Sequence, residues 1–307
     1  MDTIYHLPFP TDICSKIFFY TCKSPHTGLG IGMFKNKLQI KDYDIPYNYS
    51  FPYNDEDIIS FEAEKLDYYT YNIVYINLFT CFHNLTTIDM GSDHFHHLTG
   101  DIADLVSLKK LSVIDFYKKR VYGNIENLKS LPDLNTVWLS QTKVTGDITH
   151  LKFMHNLTRV GMRNTGITGD ISNLSSLHNL TIIVLAGTPV TGDITHLKFL
   201  LNLTIMDIGE TDITGDIAHL KSLLNLTMIR LYNTGVTGDI AHLKSLSNLT
   251  EIDVNNTDVY GDIADLKSLP NLTEIYLWDT HVYSDEIAFH EFRERSELSE
   301  CELSLNE

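Results

Sequence analysis

Cysteine is scarce in this chain: four in 307 residues, Cys14, Cys22, Cys81 and Cys301, with no CxxC pair among them. So sparse a set excludes a disulfide-stapled scaffold and fits reduced thiols. Cations are also in deficit, with Lys+Arg 23 against Asp+Glu 40 and a formal charge of -17. A protein that grips nucleic acid or an anionic membrane needs a cation for each phosphate, so neither is an expected partner. Long apolar runs are missing: the stretch 73–82 is interrupted by Asn77 and Thr80 and is about half of what a membrane-spanning helix requires. The opening MDTIYHLPFPTDICSK has an acidic second residue and two prolines, not the basic-then-apolar order of a secretory signal, so a cytosolic or nuclear location is expected. Proline (8) and glycine (17) are too few for collagen-like or low-complexity chains, and the 43% apolar content is a globular balance.

Eight of the 17 glycines are placed with strict regularity. Gly100, Gly123, Gly146, Gly169, Gly192, Gly215, Gly238 and Gly261 follow one another at 23-residue intervals, and Ser284 holds the ninth position. Each sits in a unit of the form N-L-T-x-I-x-L-x-x-T-x-V-T-G-D-I-x-x-L-K-x-L-x. In the unit from Asn156, the spacing of Leu157, Val160 and Met162 predicts a short strand with one apolar face. Ile167, Ile171, Leu174 and Leu177 then recur at three or four residues, which suits a tight turn and one turn of 3₁₀ or α-helix. No single unit can enclose these side chains, so stacking must bury them in one column, with a parallel sheet along one side.

The pattern L-x-x-I-x-L-x-x-T-x-V-T-G-D-I resembles a leucine-rich repeat, and its T-G-D-I segment resembles the plant-type subclass, in which G-x-I-P stands there. The resemblance implies an α/β solenoid: a right-handed superhelix with a concave parallel β-sheet and short 3₁₀ or α turns on the convex side. It departs from that subclass in having 23 residues per unit, no proline after the isoleucine, and threonine (Thr142, Thr165, Thr188, Thr211, Thr234, Thr257, Thr280) in place of the family's buried asparagine column. The expected organisation is an N-terminal cap over 1–83, about nine repeats over 84–284, and an acidic cap or tail over 285–307. The first unit is three residues longer than the rest, and the second carries Lys119 and Asn124 where threonine and aspartate belong.

Stacking turns each repeat position into a column. Asp101, Asp147, Asp170, Asp193, Asp216, Asp239 and Asp262 are read as caps of the turns that follow them, because one carboxylate per coil falls short of the six to eight oxygens calcium takes. His150, His196, His219 and His242 are read as solvated neighbours of those aspartates, and no metal or other cofactor is expected. The N-L-T triplets arise from the repeat's need for a polar residue before its core leucine. No P-loop, nucleophile elbow, H-E-x-x-H or dinucleotide fingerprint is present, and the protein is expected not to be an enzyme.

Residues pointing outward from the concave strands vary from unit to unit and are rich in aromatics and charge. Tyr117, Lys118, Trp138, Arg159, Arg163, Arg230, Tyr232, Asp253, Glu274, Tyr276 and Trp278 are the candidate partner-binding residues, taken as free of packing duty. Tyr, Trp and Arg dominate binding hot spots, so the expected function is a protein-interaction module. Cations cluster in the early units and acids in the late ones, so a partner's basic part should dock toward the C-terminal end.

Near the N-terminus, FPTDICSKIFFY over 9–20 carries a helix-start signal followed by apolar positions. It resembles the first helix of an F-box, which would make Pro10, Ile13, Ile17 and Phe18 docking and core positions for a ubiquitin-ligase adaptor. Without that role the segment reads as an amphipathic cap helix. A receptor-type ectodomain is a further alternative.

Overall fold

The computed structural model describes residues 74–91 and 98–284, together with the backbone of three strands, Leu38–Ile40, Tyr43–Asp44 and Ile58–Glu62. The F-box-like segment, the central part of the longer first unit and the C-terminal 23 residues lie outside the described residues.

Each coil opens with a three-residue strand, as at Arg159–Gly161, and these strands pair in parallel with their equivalents in the neighbouring coils, Val160 opposite Val137 and Ile183. The concave sheet formed this way runs from Thr87–Asp89 to Glu274–Tyr276. At its N-terminal edge Ile58–Glu62 adds in parallel, and Leu38–Ile40 and Tyr43–Asp44 continue it antiparallel. A paired edge is protected from adding a foreign strand. Residues 74–82 supply an irregular coil of their own, a strand at Val74–Tyr75 and a 3₁₀ turn at Ile76–Cys81.

The turn expected after the concave strand is longer and straighter than its apolar spacing indicated. Segments such as Gly166–Asp170 and Asp212–Asp216 are extended and form a second, ten-stranded parallel sheet on the flank. Each strand turns one large apolar residue inward, such as Val144 or Ile167, so the period-two signal is too short to read. Only after this second strand does the chain enter a 3₁₀ turn, four residues at Ile171–Leu174 and six at Ile217–Ser222. Between the two sheets and the 3₁₀ turns lies one continuous core, to which a single coil contributes Leu157, Val160, Met162, Ile167, Ile171, Leu174 and Leu177, all fully buried.

Three polar columns shape the stack, one closing each coil on itself and two tying it to the coil before. The hydroxyls of Thr142, Thr165, Thr188, Thr211, Thr234, Thr257 and Thr280 each donate to a carbonyl three residues earlier at 2.5–2.8 Å, closing the turn between the sheets from inside. The N-L-T asparagines reach back one coil: Nδ2 of Asn156, Asn179, Asn202, Asn225, Asn248 and Asn271 each donates to a carbonyl of the preceding coil at 2.8–3.0 Å. Threonines of the same triplets form the third, Thr181 to the carbonyl of Thr158 and Thr204 to that of Thr181.

The aspartates cap as expected. Asp193 accepts from the Thr195 amide at 2.7 Å, and Asp170 from Ser172 at 2.8 Å. Hydrogen bonds from the Ser172 and Thr195 side chains and amides hold both carboxyls below the usual range. Each carboxylate also overhangs the glycine of the next coil: a Cβ on Gly215 would lie 2.4 Å from Asp193 Oδ1, and φ there is +111°. The invariant spacing of the glycines thus has two causes, a left-handed backbone and a neighbour's cap resting on it.

Asp193→Ala should lower the unfolding free energy by about 1 kcal/mol, while Asp193→Asn, the arrangement present at Asn124, should cost little. Gly215→Ala should cost about 2 kcal/mol or more from its backbone and the overhanging carboxylate together. In an Asp193→Ala background the second loss should shrink, and denaturant melts giving the same loss in both backgrounds would show that the carboxylate is not what the methyl meets.

Candidate interaction surface

Because neighbouring strands are in strict register, the concave face resolves into columns. The first outward strand position reads Thr136, Arg159, Ile182, Ile205, Met228, Glu251, Glu274. The second reads Asp115, Trp138, Gly161, Val184, Asp207, Arg230, Asp253, Tyr276. Tyr117, Arg163, Tyr232 and Trp278 lie two residues beyond that second column, just past their strands. Lys118 stands one step further, in the turn, with φ +59° and its ammonium 4.8 Å from the Tyr117 ring centroid. Trp138 and Trp278 are six strand spacings apart, roughly 30 Å along the sheet.

Several candidates are not free of packing duty, which corrects the expectation from sequence. Arg163 Nη1 lies 3.2 Å from Asp207 Oδ2, and its Nη2 donates to the Tyr232 hydroxyl at 2.9 Å. The bridge spans three coils because the side chains beneath it are small: Ala186 is fully buried, and the Tyr232 ring lies where a Cβ on Gly209 would be. The Asp207 side chain is only 4% exposed. Burial pushes its carboxyl above the usual range against the pull of Arg163, Arg230 and the Gly209 amide, and its buried Oδ1 has no hydrogen-bond partner among the described residues. Arg230 in turn forms a two-pronged pair with the buried carboxylate of Glu251. Trp138 lies over Gly161 as Tyr232 does over Gly209. Glu274 accepts from the Tyr276 hydroxyl at 3.1 Å, and Trp278, 57% exposed, is held through its backbone, its amide donating to Asn255 Oδ1 and its carbonyl accepting from the Asn256 amide.

Residue type alone concealed the middle of the surface. Ile182, Ile205 and Met228 occupy consecutive places in the first column, half-exposed, with Val184 beside them. They form an apolar strip with Arg159 at one end and Glu251 and Glu274 at the other. Aligning units by column position, instead of picking aromatic and charged residues, would have found it.

Near the N-terminal end, burial pushes the Asp115 carboxyl up to about 6; the Tyr117 amide and Lys119 pull it down and Asp89 pushes it up. Among the described residues no three His, Cys, Asp or Glu side chains are grouped as a metal would need, and no helix is long and apolar enough to cross a membrane. An open polar groove lined by Asn233, Gly235, Asn256, Asp258, Asp279 and His281 follows the edge between the two sheets.

This architecture is a leucine-rich-repeat solenoid, and solved structures of that class superpose on it. The Arabidopsis receptor kinase HAESA, in complex with the peptide hormone IDA and the co-receptor SERK1, matches at TM-score 0.61 and 20% identity over 77% of this chain and 41% of its own. A leucine-rich-repeat protein of Leptospira interrogans matches at 0.58 and 15% over 74% and 56%, and an internalin of Listeria monocytogenes at 0.52 and 20% over 73% and 76%. The chain therefore spans less than two thirds of the first two, and at these identities the likeness concerns the fold. No protein-family model and no curated protein sequence matches the chain.

Arg163→Ala should lower stability by about 1–3 kcal/mol at pH 7, since it strands a buried carboxylate. Asp207 holds its proton more tightly folded than unfolded, so the deficit should narrow as pH falls through its raised titration. A pH-independent deficit in thermal melts would mean that the Arg163–Asp207 charge pairing does not govern the bridge. For Asp115 the folded value near 6 exceeds the unfolded value near 3.9, so stability is lost as pH rises from about 4 through 6. Asp115→Asn should raise the melting temperature at pH 7 and leave it unchanged at pH 4; a gain of equal size at both would rule out the carboxylate as its source.

Proposed function

We propose that this protein is a non-enzymatic interaction module that holds a protein or peptide partner on its concave sheet. The observation that carries the reading is the apolar strip Ile182–Ile205–Met228, facing solvent between Arg159 and the Glu251–Glu274 pair. A partner segment laid along it would place apolar side chains at the centre, an acidic part toward Lys118 and Arg159, and a basic part toward Asp253 and Glu274. Docking on a preformed sheet orders little of the module itself, so contact area converts efficiently into affinity. The receptor kinase HAESA, solved with a peptide hormone, has the same architecture, which supports the reading. Cytosolic or nuclear residence belongs to the same proposal and rests on repeats that contain no cysteine between residues 84 and 284.

A ubiquitin-ligase adaptor role through Pro10, Ile13, Ile17 and Phe18 is a finer proposal. Loss of cullin-adaptor capture on combined alanine substitution of the four is its test.

Ile205→Arg points outward and should leave the melting temperature within a few degrees of the parent. It should abolish capture of the partner in a side-by-side affinity capture with quantitative mass spectrometry, while Trp278→Ala weakens capture without abolishing it. An identical partner profile for the parent and Ile205→Arg overturns the concave assignment.

A further inference from the structure

A second surface lies away from the concave sheet, on the turns that lead back into it. In most coils the residue after the repeat's lysine column is serine, and the hydroxyls of Ser176, Ser222 and Ser245 donate to a carbonyl of the preceding coil at 3.1–3.4 Å. Two coils give up this bond for phenylalanine: Phe153 and Phe199 are 69% and 60% exposed. Two residues after Phe199 stands Leu201, 53% exposed, and its equivalent in the next coil, Leu224, is 55% exposed. The Asn225 side chain bonding to the Leu201 carbonyl at 2.8 Å fixes those two coils side by side. Met154, Leu200 and Leu223 form the core at this level, so the exposed four serve no packing purpose.

The charge around the four differs from that of the chain as a whole. The ammonium groups of Lys152 and Lys198 lie 4.9 Å and 5.0 Å from the ring centroids of Phe153 and Phe199. Along the same column Lys129 pairs with Glu126 and Lys244 with Asp265, whereas Lys152, Lys198 and Lys221 pair with no carboxylate among the described residues. An apolar patch rimmed by three uncompensated lysines thus interrupts a chain of net charge -17.

We infer that this edge is a second docking site, independent of the concave strip, for an acidic amphipathic segment of another protein. Such a segment would set large apolar side chains against Phe199, Leu201 and Leu224 and carboxylates against Lys152, Lys198 and Lys221. Charge complementarity selects this occupant. A second copy of the same face would set lysine against lysine, and three lysines bring only about 3 kcal/mol of attraction to an anionic membrane, against the repulsion of the rest of the chain.

The test uses the full chain and two fluorescein-labelled peptides of equal length, one of Glu, Leu and Phe and the other with Lys replacing Glu, read by fluorescence anisotropy. The acidic peptide should bind at least ten times more tightly than the basic one and weaken with added salt. Phe199→Ser combined with Leu224→Ser restores the residues found at Ser222 and Ser247, so the variant should fold with an undiminished melting temperature yet lose binding tenfold or more. Ile205→Arg should bind the acidic peptide like the parent, which separates this site from the concave one. Equal binding of the two peptides, or unchanged binding by the serine variant, overturns the proposal. So does self-association in sedimentation, or cosedimentation with phosphatidylserine vesicles, that the serine variant abolishes.

Discussion

Everything in this molecule depends on one constraint: no coil can bury its own apolar residues. Leu157, Val160, Met162 and Ile167 leave water only because the coils before and after close over them, so the backbone must present the same face at the same height in every turn. The polar columns enforce that repetition. The threonine hydroxyl closes each coil from inside, the asparagine amide ties it to the coil before, and the aspartate caps its own 3₁₀ turn while resting on the next glycine. A chain that needs all three devices in nearly every coil has little freedom left in its repeat. Such a chain shows variation only where a side chain faces solvent.

That remaining freedom is used unevenly. Part of the concave face is committed to the fold: Arg163, Asp207 and Tyr232 form one bridge, Arg230 and Glu251 a pair, and Trp138 and Tyr232 cover glycines of adjacent coils. These groups are prealigned, and a preordered polar frame loses little entropy when something docks beside it. The apolar strip and the exposed Trp278 are unencumbered, and chemistry suited to a partner concentrates there. The lysine-rimmed edge follows the same logic on another side: two coils give up the serine hydrogen bond to the coil before them and expose phenylalanine instead.

The legibility of the sequence follows from this division. The 23-residue period, the core leucines and isoleucines, the capping role of the aspartates and the parallel concave sheet could all be read directly, because each is repeated many times and carries its own chemistry. The second sheet was not legible, since its strands bury one large apolar residue apiece and hold too few alternations to register. Nor was the apolar strip, because Ile182, Ile205 and Met228 look like core residues until the register places them on the outer face.

By itself, then, the sequence determined the coil and its periodic interior, because those depend on contacts repeated at a constant chain separation. Only the tertiary structure decided which outward residues are spent within the molecule. Arg163 and Tyr232 are 69 residues apart and meet because stacked small residues, Ala186 and Gly209, leave room for a guanidinium to cross three coils. Non-repeating contacts of that kind depend on side-chain size and reach across the sheet, and neither is visible along the chain.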